Sequence, residues 1–386
     1  MSTDWMTSPA ASPVAVHQPP GLGGPTLRTG QPAIGKRPYR LLSDAERREW
    51  LGRRVGWACW GNLALVTLLL LLICYVSEGW WVSAALTYLP RVPYLLPSIP
   101  LFVLAAIYRR DLCWTPLVAM GLVLGPIMGF SAPTGTAAVP ASGEKTLRLL
   151  SVNLQEGTGG PLRVFQEIEQ MRPDVVVIQE TLREIDGLDE QFADWQTVHV
   201  GEFFVASKFP ISLVGECETQ AFDRRTAIVC RVESPEGPFL VGNVHLNTVR
   251  HGLGELRLTS FVTGEGVEDF SWHQWTRRQE AAETEKFLHQ YAELPLLVAG
   301  DFNAPTTSSM FTEHWSEWQS AFETAGMGYG YTVPCNTSHL WPQNTPWARV
   351  DHILTSPHWG VVSCRIGTGN GSDHRLIVAD FVRMTH

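Results

Sequence analysis

Cysteine is scarce in this chain, with seven residues in 386. That is too few for a disulfide scaffold, and the absence of any C-x-x-C pair argues against structural zinc and thioredoxin-like chemistry. Cys59, Cys74 and Cys113 lie in apolar runs and read as small packed hydrophobes. Basic residues are scarce where the chain is most soluble in character. From Glu144 to the end, 18 Lys and Arg stand against 32 Asp and Glu, a net of −14, whereas residues 1–143 carry 11 against 6, a net of +5. Sequence-independent nucleic-acid binding draws its affinity from Lys and Arg that release counterions, so bulk DNA binding is disfavoured. An acidic unit of this kind suits a site that concentrates divalent cations. No repeat of 20 to 50 residues is present, and at roughly 150 residues per domain the length allows two or three units.

The first third is organised around apolar runs. Residues 1 to about 35 are rich in Pro, Gly, Ser and Thr and are expected to stay disordered. Seven Lys or Arg follow between Lys36 and Arg54, including Arg47, Arg48, Arg53 and Arg54. Trp57 to Val76 is then 20 residues without a charge, and at about 1.5 Å per residue it matches the ~30 Å hydrocarbon layer. A spanning helix is predicted there; its place behind a long tail argues against a cleaved signal. A second stretch, 92–108, contains Pro93, Pro97 and Pro100 and reads either as a span or as a re-entrant or interfacial segment. A third, 112–130, is expected to span. The two basic clusters, ahead of the first span and at Arg109 and Arg110, belong on the cytoplasmic side. Three spans then place everything after Ser131 outside the cytoplasm, and two would leave it inside. Trp57, Trp60, Trp80, Trp81 and Trp114 fall near the interfaces. The expected organisation is a tail over 1–55, a multi-pass membrane region over 56–131 with helices 57–76, 92–108 and 112–130, a linker over 132–146 and an extracytoplasmic domain over 147–386.

From Leu147 the pattern is that of an α/β domain. Strands are predicted at 147–154, 174–179, 203–206, 227–232, 239–245, 296–299, 350–354 and 376–381, and helices at 162–171 and 273–291. On the second helix Glu280, Glu283 and Glu285 read as a solvated face and Arg277 and Arg278 as a solvated start. Trp272 and Trp275 read as core residues, with a recognition loop near the membrane as the other option. His251, His314, His339 and His358 are expected on the surface.

Six of these apolar runs end or begin in a short polar cluster. LRLLSVN ends in Asn153, PDVVVIQE in Glu180, FLVGNVHLN in His245 and Asn247, and PLLVAGDFN in Asp301 and Asn303; RVDHIL carries Asp351 and His352, and GSDHRLIVADF opens with Asp373 and His374. In a layered α/β fold strand ends converge on one rim, where sites are built. Carboxylate and amide oxygens with few His and no Cys suit a hard cation, Mg²⁺ or Mn²⁺. Asp301 and Asp373 can orient water, and His245 and His374 can neutralise or protonate phosphoryl oxygens. Together these residues point to metal-assisted phosphoester hydrolysis.

With IQE at 178–180, Gly-Asp-Phe-Asn at 300–303, Val-Asp-His at 350–352 and Ser-Asp-His at 372–374 in this order, the domain resembles the endonuclease/exonuclease/phosphatase superfamily over roughly 147–382. Deoxyribonucleases, abasic-site endonucleases, inositol-polyphosphate phosphatases and bacterial sphingomyelinases belong to it. The resemblance implies a four-layer α/β sandwich of two packed mixed β-sheets flanked by helices, here preceded by transmembrane helices, and a metal-dependent phosphoesterase, phosphodiesterase or nuclease. It implies Glu180 as principal metal ligand, with Asn153 supporting the metal or phosphate and Asp373 completing the metal or water shell. It implies Asp301 to activate the attacking water, Asn303 to hold the phosphate and His245 to contact phosphoryl oxygens. His374 would stabilise the transition state, its ring oriented by Asp351. Asn247 is a substrate-binding candidate.

Departures bear on specificity. Gln155 stands where abasic-site endonucleases carry an acid, which favours a single tight ion, and Arg375 follows the last His where a small apolar residue is common. Arg375 either contacts substrate phosphate or caps the strand. The basic loops with which nucleases grip DNA are absent. The substrate is expected to be a phosphoester carried by a lipid headgroup, a small diester or nucleic acid, with membrane lipid as neighbour and no protein partner. The alternative from another class is a catalytically silent, membrane-tethered binding domain. Cys217 and Cys230 flank ETQAFDRRTAIV at a spacing that a hairpin could bridge, so an extracytoplasmic domain would favour a disulfide there, with Cys335 and Cys364 as a weaker pair.

Overall fold

The computed structural model describes residues 43–133, 137–140, 143, 145–257, 259–336 and 341–384; the expected tail over 1–35 lies outside them. A helix runs Asp44–Leu71, widens through Leu72–Val76 and tightens through Ser77–Gly79. Over these 36 residues its most apolar window has a mean hydropathy of 2.2 and is 22% buried. Among the described residues it is the one helix long and apolar enough to cross a membrane. Trp57, Leu65, Leu68, Leu71 and Tyr75 project from it, exposed.

The other apolar stretches are shorter. Trp81–Tyr88 and Val92–Tyr108 reach a comparable length only as a pair, bent by 96° at the break, where Pro90 denies the backbone a donor. Trp114–Leu122 runs into a wide turn at Val123–Ile127 that holds Pro126. The three stretches lie side by side. A Cβ at Gly52 would meet the Tyr108 carbonyl at 3.4 Å, Asn62 donates to Ser98 Oγ at 2.9 Å, and Val66 and Ile73 pack with Ala119, Val123 and Ile127.

Twelve strands follow: β1 Leu147–Asn153, β2 Val175–Gln179, β3 Gln196–Val200, β4 Phe203–Ser207, β5 Ile211–Thr219, β6 Arg224–Ser234, β7 Gly237–His245, β8 Leu296–Asp301, β9 Gln319–Ser320, β10 Asp351–Thr355, β11 Trp359–Ile366 and β12 Ile377–Arg383. They form two six-stranded mixed sheets, ordered β11-β12-β1-β2-β4-β3 and β5-β6-β7-β8-β10-β9. The period of two along each strand decides which sheet face a residue serves. Leu149, Val175, Val177, Val241, Leu297 and Ile353 fill the space between the sheets. Leu150, Val152, Val176 and Ile178 point outward to Val164, Phe165 and Ile168 on the helix Pro161–Met171. On the far side Val298 and Val244 meet Ala281 and Leu288 of the helix Val267–His289. The result is the four-layer sandwich. The eight predicted strands all form, and β3, β5, β9 and β11 are additional.

Three sequence expectations are corrected. Cys217 and Cys230 are not bridged; all seven cysteines are free. Cys230 faces the space between the sheets and Cys217 the outer layer, so the two thiols stand on opposite faces of one sheet. Cys335 and Cys364 are free as well. The helical charges Arg277 and Glu280 are not solvated but buried, at 1% and 0% exposure. Trp272 and Trp275 are not in the core; each is 60% exposed.

Gly300 has φ +151°, and a Cβ there would lie 1.9 Å from the Val244 carbonyl oxygen on β7. Only glycine lets β8 approach β7 closely enough to carry Asp301 to the rim. Gly300→Ala should cost about 3 kcal/mol or more of stability, measured by thermal unfolding; an unchanged transition would show that the neighbouring strand yields.

Candidate active site

Strand register assembles the site. His245 ends β7 directly opposite Asp301, the last residue of β8, and Asp351 opens β10 opposite the same Asp301. In the facing sheet Asn153 closes β1, Glu180 follows β2, and Asp373 and His374 lead into β12. Glu180, with φ +59°, and Asn303, just past the end of β8 with φ +50°, are strained. Such conformations in non-glycine residues persist where the surroundings over-determine them, commonly at sites.

Asp301 is the hub, with 1% of its surface exposed. Its Oδ2 accepts from Asn153 Nδ2 at 3.2 Å and Asn303 Nδ2 at 3.1 Å, and its Oδ1 accepts from the Asn303 backbone N–H at 2.9 Å. His374 Nε2 stands 3.7 Å and His245 Nε2 3.9 Å from Oδ2, close enough for charge attraction and too far for a direct hydrogen bond. Asp351 grips His374 Nδ1 at 2.9 Å, which leaves Nε2 turned to the cleft. Asn153 also donates to Glu180 Oε1 at 2.8 Å, while its own Oδ1 accepts from Gln155 N–H. His245 Nδ1 donates to Glu202 Oε2 at 3.0 Å, and Arg224 donates to the other Glu202 oxygen at 2.5 Å.

Burial and charge set the protonation states in opposite directions. Burial pushes the Asp301 carboxyl up to about 6, with the Asp351 charge adding to it and the two histidines opposing. Burial also opposes a charged His374, but the carboxylates of Asp351 and Asp301 override it and raise the ring to about 10. His245 is raised against burial by its bond to Glu202. Glu202, which burial alone would raise, is held down at about 2 by His245 and Arg224. At neutral pH the rim therefore presents an ionised Asp301 beside a charged His374, while the Glu202 bond favours the charged form of His245.

A cleft of about 400 Å³ opens over this group, lined by Glu180, His245, Asn247, Asp301, Asn303, Asp373 and His374. Asn153 and Asp351 stand behind it, buried. Asp373 lines it but is paired with Arg250 at 3.1 Å. Arg375 is the one candidate not brought in: it donates to Asn344 at 3.1 Å on another part of the surface. The cleft also takes Glu156, Glu202, Arg224, Thr248 and Arg250, which sequence reasoning passed over, Gln155, which it noted as standing in place of an acid, and His251, which it assigned to the surface. Arg224 had a visible signal in the Arg-Arg pair opening a long strand; Glu202, in a turn, and Arg250, at the start of the short helix Arg250–Glu255, had none. Arg277 was also misjudged. It donates to the carbonyls of Asn247 at 2.9 Å and Asn303 at 2.6 Å, and so pins two cleft loops from behind.

The donor set fits a hard cation on one side of the cleft. Asp301, Asp351 and His374 bring ligand-type atoms within 4.8 Å of one another, but His374 Nδ1 is committed to Asp351. Glu180 instead faces the opening, and Gln155, lining the same wall, has a buried Oε1 without a hydrogen-bond partner. A buried amide oxygen left unpaired is costly unless something electropositive meets it.

A model of the endonuclease/exonuclease/phosphatase family matches residues 150–374. No curated protein sequence matches the chain. Solved structures similar to it include an endonuclease/exonuclease/phosphatase family protein from Bacteroides thetaiotaomicron, at 16% identity and TM-score 0.46 over 63% of this chain and 99% of that one. The human Nocturnin catalytic domain with bound sulfate aligns at 20% identity and TM-score 0.43, covering 64% and 100%. A 3′ phosphatase from Neisseria bound to a product DNA hairpin aligns at 16% and TM-score 0.46, covering 61% and 99%.

The ordinary histidine value is 6.5 and His374 lies near 10. The stability that Asp351 contributes through this ring is therefore full below pH 6.5 and lost as pH rises toward 10. Asp351→Asn should melt about 3 °C or more below wild type at pH 6, and the gap should close as pH approaches 10; a gap independent of pH would contradict the charged pair.

Proposed function

Because the chain belongs to the endonuclease/exonuclease/phosphatase family, we propose that it is a membrane-anchored, divalent-metal-dependent hydrolase of phosphoester bonds. The observation that carries this reading is the ionised, buried Asp301 set between two histidines at the floor of an open cleft. Glu180 and Gln155 would hold the ion, Mg²⁺ or Mn²⁺, with Asn153 fixing the Glu180 carboxylate. When bound there, the ion neutralises charge that builds up on phosphoryl oxygens.

Asp301, with a carboxyl near 6, is ionised at neutral pH and takes the proton of the attacking water. Asn303 and Asn153 hold that carboxylate in place by their amide donors. His374, kept protonated and oriented by Asp351, turns Nε2–H toward the phosphoryl oxygens. His245, whose charged form the Glu202 bond favours, is a second contact to those oxygens. Asp373, paired with Arg250, closes one wall and orients water, and Asn247 is a substrate contact on another.

Membrane anchoring draws on the apolar helix Asp44–Gly79. Its basic residues Arg47, Arg48, Arg53 and Arg54 lie at the end where Gly56 approaches Arg109. The domain is attached at the other end, where Glu78 accepts from Ser309 N–H at 2.8 Å and Arg91 donates to Thr307 at 2.8 Å. With the positive-inside bias this separation supports a multi-pass anchor and an extracytoplasmic catalytic domain.

Glu180→Gln, Asp301→Ala and His374→Ala should each lower Mg²⁺-dependent release from bis(4-nitrophenyl) phosphate about 100-fold or more, measured below the melting transition of each variant. Chelation should abolish wild-type release and added Mg²⁺ restore it. Full activity in all three variants would end the assignment.

A further inference from the structure

The apolar helix does not end in bare solvent. Directly after Gly79 come Trp80, 47% exposed, and Trp81, whose ring lies 4.8 Å from that of Phe261. Phe261 and its neighbour Val262, on the short turn Ser260–Thr263, are 62% and 91% exposed. Trp275 shares a cavity of about 260 Å³ with Glu78, Trp80 and Trp81, and Trp272, one turn back, rests edge-on against Phe222 at 6.4 Å. Large apolar side chains from three separate segments are thus exposed together where the membrane-type helix meets the domain. A contiguous patch of this kind on a soluble face is a contact surface, and tryptophan favours the zone where hydrocarbon gives way to headgroups.

The patch is continuous with the cleft. Leu253 and Leu256 pack with Trp81, Tyr88, Val249 and Phe270, and the same stretch of chain begins with Thr248, Arg250 and His251 in the cleft wall. The orientation is rigid. Tyr88 accepts from the buried Arg277 at 3.1 Å and donates to Glu78 at 2.8 Å, and Arg277 holds the Asn247 and Asn303 carbonyls. The domain therefore cannot turn its cleft away from the end of the apolar helix without breaking buried polar contacts.

We propose that Phe261, Val262, Trp272 and Trp275 seat in the headgroup zone of the bilayer that holds the helix Asp44–Gly79, and that the cleft acts on a phosphoester carried by a lipid of that bilayer. The second half rests on the hydrolase reading above. Exposed apolar residues keep the cleft mouth at headgroup depth, and Arg250 and His251 meet the anionic headgroup there. Water adds to phosphorus, one phosphorus–oxygen ester bond breaks, and the proton lost by water ends on the leaving oxygen.

Two measurements on the full chain in vesicles test this. In a Cys74→Ser, Cys113→Ser background, a fluorophore attached at Val262→Cys should be quenched by nitroxide-labelled lipid; quenching by aqueous iodide alone would overturn the surface. Vesicles of phosphatidylcholine, phosphatidylglycerol, phosphoinositide, sphingomyelin and polyprenyl phosphate should yield a new phosphorus resonance. Trp272→Ser with Trp275→Ser should lower that turnover at least tenfold relative to turnover of soluble bis(4-nitrophenyl) phosphate. Hydrolysis of the soluble diester with no lipid consumed, or an unchanged ratio, would overturn the lipid substrate. Lipid-quenched label with neither substrate consumed would sink the hydrolase reading and leave the surface standing.

Discussion

The rim is organised by one buried carboxylate. Asp301 is withdrawn from water at the end of β8, where an isolated negative charge would be expensive. Its surroundings meet that cost with two amide donors, a backbone N–H and two histidine rings. Those groups come from four separate places in the chain, at Asn153, His245, Asn303 and His374. Bringing them together accounts for the glycine at 300, for the left-handed backbone at Asn303 and for the second carboxylate, Asp351, which charges His374. Glu202 repeats the device for His245. The site is thus a ladder of alternating charge, in which moving one member changes the protonation of its neighbours.

The same logic extends to the N-terminal helices. Glu78, Tyr88, Arg91 and Arg277 are polar groups withdrawn from water at the seam between the N-terminal helices and the domain, each satisfied by a partner across it. Removing one partner from such a network leaves the other buried and unpaired, which is more damaging than losing a surface pair. The N-terminal region is therefore a structural part of the unit that carries the cleft: Glu78 caps the helix Ser309–Trp315, and Tyr88 steadies the arginine that holds two cleft loops. An anchor built only to tether would need none of these contacts.

Much of this was legible in the chain. Strands with dense β-branched runs, such as VVVIQ in β2 and LLVAGD in β8, declare themselves because both of their faces are buried. The missed strands are different: β3 and β5 sit at sheet edges with exposed, mixed faces, and β9 is two residues long. The polar residues closing the buried strands were found for the same reason, since a charge at the end of an apolar run has no packing purpose. Arg277 and Glu280 were misread because a helix rich in charge looks solvated along its whole circumference. Their burial follows from the cleft loops and Tyr88 closing over that face.

Order and residue type along the chain were enough to establish an α/β domain, the six polar strand ends and the chemistry they suit, and the family resemblance they carry implied the layered sandwich. Strand alternation and hydrophobic burial are local properties, written in each short segment. Which polar groups touch, which cysteines face apart, and that the tryptophans of one helix open beside the apolar helix were decided only in three dimensions. Those outcomes depend on pairing register and on contacts between segments more than a hundred residues apart, and no local pattern encodes them.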